Sequence, residues 1–262
     1  MISRGTLPLF LALAGWSGLA LLLLPIINAI WISFSPGDLL VPPGSDWSLR
    51  WYREFFGDRR WMTALGNSLR VGLLSAAIAL ATGLPLAYAL TRYHFWGRSL
   101  LGIGVLLPLA VPPVVLGVGL LPTLHALGWW GNVFSLAAAH ALLGMPVVCV
   151  LARSAFESVG SDLEWAARGL GATPGQAVRR ITLPLVRPAL LAGALLAFVL
   201  SLNEFVLALF LATPETETLP RVLWPNLRYA VSPLAAAASG VVTLLTVVAA
   251  ALAGGLWLKL RG

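Results

Sequence analysis

Lysine is all but absent from this 262-residue chain, which carries only Lys259. Its setting, Leu258-Lys259-Leu260-Arg261, is not the Gly-x4-Gly-Lys-Ser/Thr loop that cradles nucleotide phosphates, so the chain does not hydrolyse ATP by that device. Cysteine is equally scarce. Cys149 stands alone in an apolar run, which excludes an intrachain disulfide and a cluster of thiolate metal ligands. No two of His94, His125 and His140 have metal-ligand spacing, and no metal site is expected. No nucleophile–base set stands in the apolar runs, so no catalytic residue is expected either. Charge of both signs is thin, at 10% of residues against about 25% in a soluble domain.

What the chain has instead is apolar length. Hydrophobic residues make up 59% and the mean hydropathy is +0.89. One soluble core could not hide that surface, and lipid is the solvent that suits it. Six runs reach the roughly 20 residues that cross a bilayer: Leu7–Ile32, Val71–Leu90, Leu100–Leu121, Val133–Ala152, Ala189–Leu211 and Leu234–Leu258. Runs so long and continuous predict helices rather than barrel strands, which alternate and are about half as long. The expectation is an all-α integral membrane protein, one domain over residues 1–262. The first run exceeds the h-region of a signal peptide and reads as a retained helix.

The net charge of +7 comes almost wholly from arginine. The basic residues sit in short segments between apolar runs, which suits membrane lipid and argues against nucleic acid. Arg4, Arg92, Arg98, Arg153, Arg168, Arg179, Arg180, Arg187, Lys259 and Arg261 fall on one side of a six-span topology. That bias puts both termini and the segment 153–187 in the cytoplasm, and the segment 33–67 outside. The outer segment carries Trp47, Trp51, Tyr52, Phe55 and Phe56. Its second half reads as an amphipathic interfacial helix that anchors the chain or docks a partner. Pro85, Pro108, Pro112, Pro113 and Pro146 fall within spans and predict kinks where helices pack on protein or line a cavity.

Residues 153–187 exceed what a simple connection needs. Ser161-Asp162-Leu163-Glu164 has the spacing of a capping box, with Glu164 reaching back to the Ser161 N–H, and predicts a helix Asp162–Leu170. Gly171 then stands where a left-handed cap belongs. Thr173-Pro174-Gly175-Gln176 repeats the box and starts a second short helix. Two short helices turned at a glycine form a knob that can slot into a partner's groove.

Trp165-Ala166-Ala167, three residues, Gly171, nine residues, then Ile181-Thr182-Leu183-Pro184 resembles the signature loop of ABC importer permeases. That loop reads Glu-Ala-Ala, three residues, Gly, nine residues, Ile-x-Leu-Pro. Here Trp165 replaces the glutamate and Glu164 stands one place earlier, which weakens or shifts any charged contact made there. The resemblance implies a type I importer permease of the bacterial inner membrane, with Glu164, Trp165, Ala166, Ala167, Gly171, Ile181, Leu183 and Pro184 coupling it to an ATPase. The implied partners are a second permease forming a heterodimer, two ATP-binding subunits and a solute-binding protein. ATP and Mg²⁺ would sit on the ATPase, leaving this chain without a cofactor. Ser48-Leu49-Arg50-Trp51-Tyr52, Asn67-Ser68-Leu69, Ser201-Leu202-Asn203-Glu204-Phe205 and Thr218-Leu219-Pro220 are similar to polyamine-type permeases, although two aspartates usually fill the Asn203-Glu204 positions. This points to a small cationic amine as cargo, with 4-aminobutyrate, an aminophosphonate or another small solute as alternatives. An ion-coupled secondary transporter would more often show several intramembrane charges.

Glu204 is the only acidic residue in a span. Placing a charge there costs at least about 2.5 kcal/mol. With Ser201 and Asn203 it forms a candidate pathway for a cationic solute. A carboxylate hydrogen-bonded between helices fits the same position equally well. His140 reads as a hydrogen-bonded packing residue.

Overall fold

The computed structural model describes residues 6–229 and 232–261. Arg4, one of the charges used for topology, lies outside them. Helices in chain order are α1 (Thr6–Ile32), α2 (Arg50–Gly57), α3 (Arg59–Arg92), α4 (Arg98–Gly104), α5 (Leu107–Ala110), α6 (Pro113–Ala126), α7 (Val133–Val159), α8 (Asp162–Gly169), α9 (Pro174–Ala177), α10 (Leu183–Asn203), α11 (Val206–Leu211), α12 (Leu219–Tyr229) and α13 (Pro233–Arg261). A π turn, Val178–Thr182, joins α9 to α10. There is no strand among the described residues.

Among the described residues five helices are long and apolar enough to cross a membrane, and there is a sixth crossing if a bent pair counts as one span. The bent pair is Arg98–Ala110 with Pro113–Ala126, at 99°. The expected continuous span Leu100–Leu121 is therefore broken. Its break falls at Val111-Pro112-Pro113, where two successive residues have no N–H to donate and the residue before them is driven out of helix. The fifth expected span, Ala189–Leu211, is broken as well. Its helix ends at Asn203, Glu204 is extended (φ −76°, ψ 112°), and α11 restarts at Val206.

The chain divides into two compact units. The first holds the described residues up to Met62 together with those of Leu223–Leu244. Its α1 is apolar on every side and exposed over residues 11–28, as a helix surrounded by lipid would be. After α1 the chain folds back on aromatic residues. Trp51 Nε1 donates to Ser35 O at 3.0 Å, and the Ser33 and Tyr52 hydroxyls are 2.8 Å apart. Phe34 lies between the rings of Trp47 and Tyr52. The amphipathic helix forms as expected, but Trp51 and Phe55, one turn apart, face the core of this unit, so not all its aromatics are interfacial anchors. Phe56 and Trp47 remain exposed.

The second unit holds Thr63–Val222 with the chain from Leu245. Here α3, α7 and α10 meet on small residues. Gly83 lies against Met145 O and Val148, and Gly144 faces Ala197 and Ala79. Such residues let helix backbones approach closely where lipid gives no hydrophobic push between helices. One end of this unit gathers Arg92, Gly160, α8 and the π turn. Elsewhere in the unit, Asn67 Nδ2 donates to Glu215 O (2.9 Å) and Glu217 O (3.1 Å), and Leu219 N donates to Ser68 Oγ (2.8 Å). Two motifs quoted separately from the sequence, Asn67-Ser68-Leu69 and Thr218-Leu219-Pro220, are thus partners in space.

Candidate functional site

The knob forms around Gly171. Its φ of +91° is the left-handed conformation that a side chain would strain. There Gly171 N donates to Arg168 O and Ala172 N to Ala167 O, each at 3.0 Å, satisfying the last carbonyls of α8. The Thr173 capping box forms in full: Gln176 N donates to Thr173 Oγ1 and Thr173 N to Gln176 Oε1. The helix that follows is not separate from the fifth span, because α9, the π turn and α10 run on as one rod over Pro174–Asn203. Pro184 has no N–H for the Arg180 carbonyl, and Leu183 N donates back to Val178 O, which widens this turn to the π spacing.

The other capping box does not form. Ser161 makes no side-chain cap bond, and Glu164 turns away from it. Its carboxylate has stronger partners. Arg92 Nε donates to Oε1 at 3.0 Å, Thr182 Oγ1 to Oε1 at 2.8 Å, and the Tyr88 hydroxyl to Oε2 at 3.0 Å. Arg92 also donates to the Gly160 carbonyl. The Glu164 and Arg92 side chains are 12% and 10% exposed. The ring of Trp165 is 62% exposed, and the Arg168 guanidinium stacks over it at 4.6 Å. Leu163, Ala166 and Leu170, spaced to share a helix face, are exposed too. Ala167 and Ile181 are half-buried and Pro184 is exposed, while Leu183 packs against the buried cluster around Phe156. A cavity of about 420 Å³ lies between Tyr93, His94, Trp165 and Arg168. Sequence reasoning missed Tyr88, Arg92 and Thr182. The one local hint was two polar residues, Tyr88 and Arg92, one turn apart at the end of a span.

The second candidate group stands at the break in the fifth span. Ser201 is buried and its hydroxyl pairs with His140 Nδ1 at 2.8 Å, linking α10 to α7. His140 is 2% exposed, and its Nε2 has no partner among the described residues. Glu204 is half-buried. Its N–H donates to Ser201 O, and its Oε1 accepts the Leu207 N–H at 2.9 Å, so the carboxylate caps the N-terminus of α11. Asn203 points outward and donates to Val199 O. Ser201, Asn203 and Glu204 therefore adjoin in sequence without forming one side-chain cluster. Among the described residues no group of three His, Cys, Asp or Glu side chains could hold a metal.

Among characterised proteins, the putrescine transport system permease protein PotI of Escherichia coli is 34% identical over 223 residues, covering 82% of this chain and 79% of its own. The spermidine/putrescine transport system permease protein PotC of the same organism is 30% identical over 87% of this chain and 86% of its own. A "Probable molybdenum ABC transporter permease protein" of Haloferax volcanii is 40% identical over 62% of this chain and 63% of its own. Two crystal structures share the fold. A bacterial ABC transporter importing the acidic polysaccharide alginate matches 99% of this chain and 98% of its own (TM-score 0.69, 22% identity). A bacterial alginate ABC transporter with its pentasaccharide-bound periplasmic protein matches 96% and 94% (TM-score 0.75, 17% identity). Residues 61–260 match the binding-protein-dependent transport system inner membrane component family. The chain thus belongs to that family, the multi-pass membrane permease subunits of ABC importers.

Proposed function

We propose that this permease carries a small cationic amine of the polyamine class inward. The observation that carries this reading is the 34% identity to a putrescine permease along most of the chain. A carboxylate in a discontinuous membrane helix supports it, because broken helices commonly form solute sites near the membrane midplane. Glu204 would meet the ammonium group at the break, which Ser201 and Asn203 adjoin in sequence, Ser201 steadying it through His140. The chain works as one transmembrane permease domain, its termini and the segment 153–187 in the cytoplasm and the segment 33–67 outside.

Energy comes from elsewhere. Two ATPase subunits bind ATP and Mg²⁺, and this chain pairs with a second, similar permease. A solute-binding protein delivers the cargo. The knob is the coupling element. Trp165, Ala166 and Ala167 face the ATPase, Gly171 sets the turn, and Ile181, Leu183 and Pro184 root it in α10. Closure of the ATPases on ATP pushes the knob and shifts α3, α7 and α10, giving alternating access.

The test is reconstitution of the co-purified complex in proteoliposomes with its binding protein. Putrescine or spermidine should stimulate ATP hydrolysis and accumulate inside. If only a molybdate-like oxyanion, 4-aminobutyrate or an aminophosphonate does so, the polyamine reading fails while the importer stands. Uptake driven by an ion gradient with no ATPase bound would remove the coupling role.

A further inference from the structure

We infer that Glu164 is a positioning residue that clamps α8 rigidly to the membrane helices, while the partner-facing place beside it passes to Trp165. The inference rests on reading α8 as the segment that the ATPase grips.

α8 has eight residues, and none of its apolar side chains is fully buried. Helices this short are unstable alone, and packing does not fix this one. Glycines with positive φ flank it, Gly160 at +68° and Gly171 at +91°, so both ends could serve as pivots. Against that freedom stands one carboxylate. Glu164 receives two donors from α3, Tyr88 and Arg92, and a third from the π turn, Thr182. Arg92 closes the loop on the Gly160 carbonyl, which lies at one pivot. The clamp joins α8 to the two helices that α7 meets at Gly83 and Gly144. A push on the exposed face of α8 is then delivered to α3 and α10 instead of being lost in rotation about the glycines.

Burial makes the clamp strong. A surface ion pair contributes roughly 0–1 kcal/mol, but these side chains are almost enclosed, and charge-assisted hydrogen bonds of this geometry are about twice as strong as neutral ones. The same geometry leaves Glu164 little to offer outward. The surface one position on belongs to the Trp165 ring and its stacked Arg168, an apolar and cation–π contact in place of a carboxylate.

The experiment uses the full assembled importer with Glu164→Gln, Arg92→Gln and the double variant. Spin labels are placed at Asp162 in α8 and Ala81 in α3, both exposed and neither in the clamp. In the parent the α8–α3 distance distribution should be narrow. Either single variant should broaden it, and uptake per ATP hydrolysed should fall on the order of tenfold. The double variant should lose less than the sum of the singles, because the Arg92–Glu164 ion pair is already broken in each of them. The ATPase should still co-purify. A narrow distribution in Glu164→Gln with loss of the ATPase would overturn the clamp and make Glu164 a partner contact. Parent-like uptake per ATP, or additive losses in the double variant, would also overturn it. A parent chain that carries no ATPase would sink the coupling reading instead, and the label distances would still report on the clamp.

Discussion

Adding one methyl group at Gly144 should loosen the membrane core of the second unit, and removing one across the interface should repair it. A Cβ built on Gly144 lies 2.9 Å from the Ala197 Cβ and 3.4 Å from the Ala79 Cβ. Non-bonded carbons settle at about 3.5–4.0 Å. Neither alanine can rotate its methyl away, so Gly144→Ala must push α7 and α10 apart by roughly half an ångström or more. Overpacking of this kind costs about 1–3 kcal/mol. For a chain of this size that lowers the unfolding midpoint by about 2–4 °C per kcal/mol. Ala197→Gly removes the closest atom, so Gly144→Ala/Ala197→Gly should melt within about 1 kcal/mol of the parent, since the two glycine effects on helix propensity offset. Gly193→Ala is the control. Its nearest neighbour would be Val148 Cα at 3.4 Å, and a small shift accommodates it. The assay is thermal unfolding of the detergent-solubilised complex, followed by tryptophan fluorescence. If Gly144→Ala melts with the parent, or the double variant melts as low as the single, close packing at this layer is not what holds α7 to α10.

Gly171→Val should reduce uptake per ATP by straining the left-handed turn, at about 1–2 kcal/mol, and Gly171→Asn should do so less; equal uptake in both would refute the strain argument. Ser201→Ala should leave both His140 nitrogens unpaired and lower stability by about 1–3 kcal/mol in the same melting assay. Asn67→Ala removes the amide that donates to the Glu215 and Glu217 carbonyls and should cost a similar amount. Glu204→Gln keeps an oxygen to cap Leu207 N but loses the charge, so it should lower putrescine uptake with an unchanged melting point, whereas Glu204→Ala should lower both, the second by about 1 kcal/mol.

Where a feature depends on a run of residues, it was legible in the sequence. Long apolar stretches marked the membrane helices, Gly171 marked the left-handed turn, and Thr173 with Gln176 marked a box that forms as spaced. What depended on a distant partner was not. Ser161 and Glu164 have capping-box spacing, yet the carboxylate goes to Arg92, 72 residues away, because a charged, enclosed donor outbids a backbone N–H. Asn67 finds its acceptors about 150 residues on, and no local pattern announces them. The Pro112-Pro113 pair signalled a kink, but hydropathy carries no angle, so the 99° bend was out of reach.

Glu204 is where the two kinds of information meet. Its sequence signal, a lone acid in an apolar run, fitted either a solute contact or a structural bond. The structure adds that the carboxylate caps α11 at the point where the membrane helix is interrupted. Capping needs only an acceptor oxygen, and serine or asparagine supplies one without placing a charge in a span. The Glu204 carboxylate is therefore more than the cap requires. The excess is a second carboxylate oxygen at the break between α10 and α11. The neutral, cap-competent Glu204→Gln variant isolates that excess from the structural bond.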